Sequence, residues 1–200
     1  MSDNGIMTIG RPTEFDRQDA LEKAMGLFWR NGYEATGLTA LTNEMGIGRQ
    51  SLYNAFGDKH SLFVEAIKHY ASRNSQPLIG ILHAPGSGVA NIRKALEAVV
   101  AFTTSGDCCG CLVTNSIVEL APHDDEVAKV VRSALNRVEK AFQDAVNRAV
   151  ESGEISADTD TRAVARFLNN TLHGMVVMGK ASASKAALKD VVEIALSKLL

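Results

Sequence analysis

Residues 38–60, LTALTNEMGIGRQSLYNAFGDKH, carry the decisive pattern of this 200-residue chain. Leu38, Leu41 and Met45 recur at three- and four-residue spacing, so they share one face of a short helix. Gly46-Ile47-Gly48 then turns the chain, since glycine takes up tight-turn conformations at no steric cost. Leu52 and Phe56, four apart, give a second short helix an apolar face, and Asp58-Lys59 opens a further helix with a capping residue type. Short helix, glycine turn and short helix form a helix-turn-helix, a motif whose second helix lies in the major groove of DNA.

Upstream, Asp16 reads as an N-cap with Phe15 before it as a staple. Leu21, Met25, Phe28 and Trp29 follow at helical spacing until Gly32. Downstream, Leu62, Phe63, Ala66, Ile67 and Tyr70 line the helix that Asp58 caps. These four helices share one small apolar core. Pro77, Gly80, Pro85, Gly86 and Gly88 mark a break. A fifth helix is expected from about Val89 to Phe102 and a sixth from Cys111 to Leu120, stopped by Pro122. A long seventh starts at Asp124 or Asp125 and carries a valine-rich stripe from Val127 to Val150. The eighth begins at Thr159-Asp160, and Ser184 caps the ninth. There is no strand pattern, repeat or low-complexity tract. The expected fold is all-α, with nine helices in two domains: residues 1–60 a three-helix helix-turn-helix domain, and residues 61–200 a helical ligand-binding and dimerisation bundle.

Composition narrows the class. The chain is 46% hydrophobic, enough for a core, and no apolar run approaches the roughly 18 residues a membrane span needs. The N-terminal MSDNGIMTIGRP lacks the basic-then-apolar pattern of a signal peptide, so a cytoplasmic location is expected. The net charge is −2, and the first 60 residues hold six basic against eight acidic side chains. Phosphate neutralisation supplies most non-specific DNA affinity, so any DNA contact here must rely on local positive charge. Between Gly46 and Gly57 the single charge is Arg49.

Ala24, Leu27, Phe28, Gly32, Tyr33, Thr36, Leu41, Gly46, Leu52, Tyr53, Phe56, Lys59, Leu62 and Phe63, with the run G-x-x-x-x-S-L-Y-x-x-F-x-x-K-x-x-L, resemble the TetR family of bacterial transcriptional repressors. The layout matches over the whole chain, the residue detail over about positions 16–70. GCLVTNSIVEL at 110–120 looks like a subgroup of these regulators in which Gly-Cys-Leu opens the sixth helix. The family usually has Ser or Thr capping the second and third helices, where this chain has Gly37 and Gly48. Either Thr36 takes over at the second helix, or that cap is weaker by about a few tenths of a kcal/mol.

Arg49 and Gln50 begin the recognition helix, where Arg can bond guanine and Gln adenine bidentately. Ser51, Tyr53 and Asn54 follow on the same exposed side. The resemblance implies that the Tyr53 hydroxyl and the Lys59 ammonium grip phosphates. Thr39 is a candidate for a further phosphate bond, and Arg11 in the N-terminal arm for the minor groove or a phosphate. Read singly, Arg49 is a solvated charge, Tyr53 a core aromatic and Lys59 a surface lysine; together at this spacing they read as a DNA interface.

Three thiols crowd into Cys108-Cys109-Gly110-Cys111. Cys111 at a helix start suits a thiol with lowered pKa, and the resemblance implies sensing of oxidants or quinone-like electrophiles; Lys180 and Arg132 are candidate charge partners that spacing does not place. The alternatives are a small buried apolar residue or a metal site of Cys108, Cys109, Cys111 and His123, a set with adjacent cysteines that fits a tetrahedral ion poorly. The resemblance also implies a small-molecule pocket in the C-terminal bundle. Candidate wall residues are Phe102, Cys111, Leu112, Asn115, Ser116, Glu119, Phe142, Phe167, Asn170, Thr171, His173, Met175 and Met178. Surplus apolar surface on the eighth and ninth helices, with Gly174 and Gly179 permitting close approach, implies a homodimer reading a palindromic operator.

The expected function is therefore a dimeric, sequence-specific repressor. A small molecule, or oxidation or electrophile modification of a cysteine, would release it from its operator. No enzymatic role, cofactor, metal or membrane partner is expected. Two alternatives stand beside it: a thiol-based redox enzyme, for which neither C-x-x-C nor a strand-to-helix thiol site is present, and a helical interaction protein that does not bind DNA.

Overall fold

The computed structural model describes residues 15–105, 109–197 and 199. Among these, nine helices and no strand are found: α1 (Arg17–Asn31), α2 (Leu38–Met45), α3 (Arg49–Phe56), α4 (Lys59–His83), α5 (Gly88–Thr103), α6 (Leu112–Glu119), α7 (Asp125–Glu151), α8 (Thr161–Lys180) and α9 (Lys185–Ser197). No described helix is long and apolar enough to cross a membrane.

Local capping sets most helix starts. The Asp16 carboxylate accepts the Gln18 and Asp19 N–H groups, Asp58 that of Ser61, Asp124 that of Val127, and Asp160 those of Arg162 and Ala163. Each satisfies donors that the first helical turn leaves without an intrahelical partner.

Two buried clusters organise the packing. The first joins α1–α4 around Phe28 and Phe63, whose rings meet edge to face at 4.9 Å, and it also takes in Leu112 and Val113 of α6 and Val127 and Val131 of α7. Burial of each phenyl ring contributes about 1.5–3 kcal/mol. The second cluster joins the C-terminal end of α4 to α5, α7, α8 and α9 around Leu96, Phe142 and Leu168. Helices α4 and α7 run through both.

The expected break at Pro77 is corrected. α4 continues through Pro77 and Gly80 to His83, and the chain turns only at 84–87. A proline inside a helix forfeits one bond, to the carbonyl four residues back. That residue, Arg73, is exposed, so solvent can satisfy its carbonyl, while continuation buries Leu82 fully and packs Leu78, Ile79 and Ile81 on the second cluster.

Gly179 supports close approach within the chain: a Cβ there would collide with the Thr103 side chain, so α8 lies directly on α5. Gly174 faces open space.

Candidate functional site

The helix-turn-helix is held from beneath. Leu41 and Met45 of α2 and Leu52 and Phe56 of α3 are buried, which leaves the opposite faces outward. Gly46 takes a left-handed conformation, φ 69°, and its N–H closes the end of α2. A side chain with a Cβ is strained there. Neither Gly37 nor Gly48 supplies a side-chain cap. Thr36 does not take over: it is fully buried, and its hydroxyl donates to the Gly32 carbonyl at 2.6 Å.

Thr39, Arg49, Gln50, Tyr53 and Asn54 are all exposed, with Ser51 and Lys59 half-buried. Arg49 Nη2 donates to Thr39 Oγ1 at 2.9 Å, which joins the starts of α2 and α3. Gln50 Nε2 donates to Asn54 Oδ1 at 3.0 Å along α3. The Lys59 ammonium sits 4.2 Å above the centre of the Tyr33 ring, so the positive charge at the start of α4 is steered by a cation–π contact. Arg11 lies outside the described residues.

A further residue positions α3 without any local sequence signal. Arg17 donates from Nη1 to Glu65 Oε1 at 2.6 Å and from Nη2 to Glu65 Oε2 at 2.8 Å. It also reaches the Ala55 carbonyl and lies 4.4 Å from the Phe56 ring centre. One guanidinium thereby ties α1, the end of α3 and α4 together. Glu65 is 48 residues away, beyond any spacing rule.

A second feature lies deeper. A cavity of about 460 Å³ opens between α4, α5, α6, α7 and α8. Its wall is mostly apolar (Leu78, Ile81, Val99, Phe102, Leu135, Leu172), with Tyr70, Arg73, Asn74, Ser75, Cys111 and His173 as its polar points. Polar groups few among apolar ones are what small-molecule sites present. The Tyr70 hydroxyl is hydrogen-bonded to the Cys111 thiol; burial first, and then that thiol, push it well above its usual value of 10.0. His173 Nδ1 shares a hydrogen bond with Thr114 Oγ1 at 3.1 Å, and burial holds the imidazole below its usual 6.5.

Of the candidate wall residues, Phe102, Cys111 and His173 line this cavity. Phe142 is fully buried inside the second cluster. Ser116 is buried with its hydroxyl donating to the Leu112 carbonyl at 2.8 Å. Phe167 and Asn170 lie on the exposed side of α8. Asn115 and Glu119 face a different cleft, of about 410 Å³, between α1, α6 and α8.

That second cleft shows how α6 is tied to the helix-turn-helix unit. At its start, Trp29 Nε1 donates to the Gly110 carbonyl at 3.0 Å. At its end, Glu119 Oε1 accepts the Glu34 N–H at 3.0 Å. Just beyond, His60 Nε2 lies 2.6 Å from Asp124 Oδ2. The same helix carries Thr114, bonded to His173 of the cavity wall, and is preceded by Cys111. α6 therefore touches the cavity on one side and the helix-turn-helix frame on the other.

Neither Lys180 nor Arg132, the charge partners expected for Cys111, lines this cavity. Lys180 Nζ donates to Asn115 Oδ1 at 3.2 Å, and Arg132 is exposed on α7. Cys111 is half-buried in the cavity wall beside Tyr70. The metal set expected as an alternative includes Cys108, which lies outside the described residues.

Family comparisons match this architecture in both halves. Residues 20–66 match the model for bacterial regulatory proteins of the tetR family, and residues 88–195 match a tetracyclin repressor-like C-terminal domain. The chain belongs to the TetR family of bacterial transcriptional regulators. It is 36% identical to the uncharacterized HTH-type transcriptional regulator YezE of Bacillus subtilis, over 96% of this chain and 100% of that protein. It is 32% identical to the HTH-type transcriptional repressor ComR of Escherichia coli, over 91% of this chain and 88% of ComR. Among solved structures, a cysteine-substituted TetR-family regulator CifR, complexed with 26-base-pair operator DNA, superposes with a TM-score of 0.85 at 34% identity, covering 96% of this chain and 100% of that one. In this TetR-family chain the residues on the outer faces of α2 and α3 are the candidate DNA contacts.

Proposed function

We propose that this chain acts as a homodimeric repressor of a palindromic operator, released when a small molecule enters the 460 Å³ cavity or when Cys111 in its wall is oxidised or alkylated. The observation that carries the reading is α6, which is bonded to the cavity wall through Thr114–His173 and to the helix-turn-helix frame through Trp29–Gly110 and Glu34–Glu119. A ligand that shifts α6 thereby moves the frame on which α3 is mounted, and only a difference in affinity between the two arrangements can shift their balance.

In this reading residues 1–60 are the DNA-binding domain and 61–200 the ligand-binding and dimerisation domain. Arg49 and Gln50 read base edges, with Ser51 and Asn54 beside them, and Thr39, Tyr53 and Lys59 hold phosphates. Two copies meet through α8 and α9, where Phe167, Val177, Met178, Val191 and Ile194 are 42–62% exposed in the single chain. Large apolar side chains exposed at that level on neighbouring helices fit a protein interface. The protein works in the cytoplasm and carries no catalytic activity.

The test is fluorescence anisotropy on the DNA immediately upstream of the gene, with the protein reduced and then mildly oxidised, followed by selection of sites from random DNA. Tight, salt-sensitive binding to a palindrome is the expected result. Failure to select any sequence would refute the repressor reading. Binding that ignores oxidant would remove Cys111 oxidation and keep the small-molecule route.

A further inference from the structure

Three buried side-chain atoms lack a hydrogen-bond partner among the described residues: Arg148 Nε, Asn169 Oδ1 and His173 Nε2. Of the three residues only His173 lines the cavity. Buried polar atoms are satisfied in the great majority of cases, and an exception calls for a missing partner. The other polar side chains of the wall have partners: Ser75 Oγ donates to the Ala71 carbonyl at 2.6 Å, and Arg73 pairs with Glu22. The Tyr70 hydroxyl is bonded to Cys111, with the Asn74 side chain and the Leu112 N–H directed at its oxygen. His173 Nδ1 is held by Thr114. Among the described residues, His173 Nε2 is thus the one buried polar atom of this mostly apolar wall that lacks a partner.

We propose that His173 Nε2 is the specificity-determining anchor of the cavity, and that the cavity takes a neutral, mainly apolar molecule with one hydrogen-bonding group, such as a hydroxyl or carbonyl, that reaches this nitrogen. This rests on the reading of the cavity as the effector site. The apolar body follows from the wall: Leu78, Ile81, Val99, Leu135 and Leu172 offer no polar atom. Neutrality follows from the surroundings of the ring. A buried carboxylate needs a paired cation, and the cation in the wall, Arg73, already holds Glu22 Oε1 at 2.8 Å. The bond to Thr114 fixes the ring orientation, so whichever nitrogen carries the proton, Nε2 presents a single donor or acceptor at one place. The same bond runs to α6, so a ligand that draws on His173 pulls on the helix that carries the helix-turn-helix contacts.

The test uses three probes with one apolar body: naphthalene, 2-naphthol and 2-naphthoate. None reacts with a thiol, so Cys111 chemistry does not enter. Calorimetric titration of the full-length protein at pH 7 is expected to give 2-naphthol a dissociation constant about tenfold below that of naphthalene, the difference one hydrogen bond makes. 2-Naphthoate is expected to bind more weakly than 2-naphthol. His173→Phe should abolish the advantage of the hydroxyl and leave naphthalene unchanged, and His173→Gln should restore part of it. In the wild-type protein the imidazole Nε2 resonance should move with 2-naphthol and stay with naphthalene, a readout that needs no variant to fold. Equal affinity for naphthalene and 2-naphthol, tightest binding by 2-naphthoate, or a hydroxyl advantage that survives in His173→Phe would overturn the anchor and leave the cavity standing. Binding by none of the three would overturn the effector cavity itself, and the anchor with it.

Discussion

Glu119 Oε1, on the last turn of α6, accepts the backbone N–H of Glu34, in the turn that leads from α1 into the helix-turn-helix, at 3.0 Å. A side chain of the C-terminal half thus satisfies main chain in the N-terminal half. A carboxylate acceptor makes the stronger class of hydrogen bond, though half-burial reduces its net value. Glu119→Ala is expected to cost about 1 kcal/mol of stability. It should also uncouple the halves: operator affinity stays within a few-fold of wild type, while its response to a cavity ligand shrinks. Urea denaturation and anisotropy titrations with and without ligand read the two effects separately, and an undiminished ligand response would remove Glu119 from the coupling.

Gly32 lies against the same carboxylate. Its φ of +83° is a conformation that side chains rarely adopt, and an added Cβ would sit 2.9 Å from both Glu119 carboxylate oxygens. Gly32→Ala is therefore expected to destabilise by about 1–3 kcal/mol. In a Glu119→Ala background the steric part disappears and the strain remains, so the second cost should be smaller. A double-mutant cycle measures the difference; strictly additive losses would show that the two residues do not interact.

Base and phosphate contacts separate by their signatures. Arg49→Ala should cost about 1–3 kcal/mol on the specific operator and relax preference at one base pair. Lys59→Ala should weaken binding to specific and random DNA alike and lower the salt slope by about one. Anisotropy titrations at several salt concentrations distinguish them. A uniform loss for Arg49→Ala would make Arg49 a phosphate contact.

Acid stability follows from the shifted groups. The Val127 N–H, and then His60, hold Asp124 below its usual 3.8, and the hydroxyls of Ser87 and Ser152 hold Glu154 below its usual 4.5. A depressed carboxylate stabilises the fold above its unfolded value, and the contribution is lost as pH falls through the lower, folded one. His173, depressed by burial from 6.5, is disfavoured in its protonated form. Its contribution is complete above 6.5 and declines as pH drops below that. The urea midpoint should therefore fall gently from about pH 6.5 and steeply below about pH 4.5. His173→Gln should remove the gentle part alone; a wild-type-like slope in that variant would contradict the assignment.

Periodicity and punctuation made much of this fold legible. Asp16, Asp58, Asp124 and Asp160 cap the helices where an acidic residue precedes an apolar stripe, because capping is a contact within one turn of helix. The outward set Arg49, Gln50, Tyr53 and Asn54 was legible too, since Leu52 and Phe56 fix which side of α3 is buried. Pro77 misleads as a stop signal, because the apolar surface of Leu78, Ile81 and Leu82 outweighs one lost helical bond.

The sequence by itself determined the local things: helix number and order, the glycine turn between α2 and α3, and the exposed face of the recognition helix. These depend on contacts within a few residues, which spacing records. Only the tertiary structure decided which residues of α6 and α8 line the cavity, that Asn115 and Glu119 face α1 instead, and that Arg17 braces α3 through Glu65. Those partners are tens of residues apart in the chain, and their meeting is set by how the helices rotate and pack.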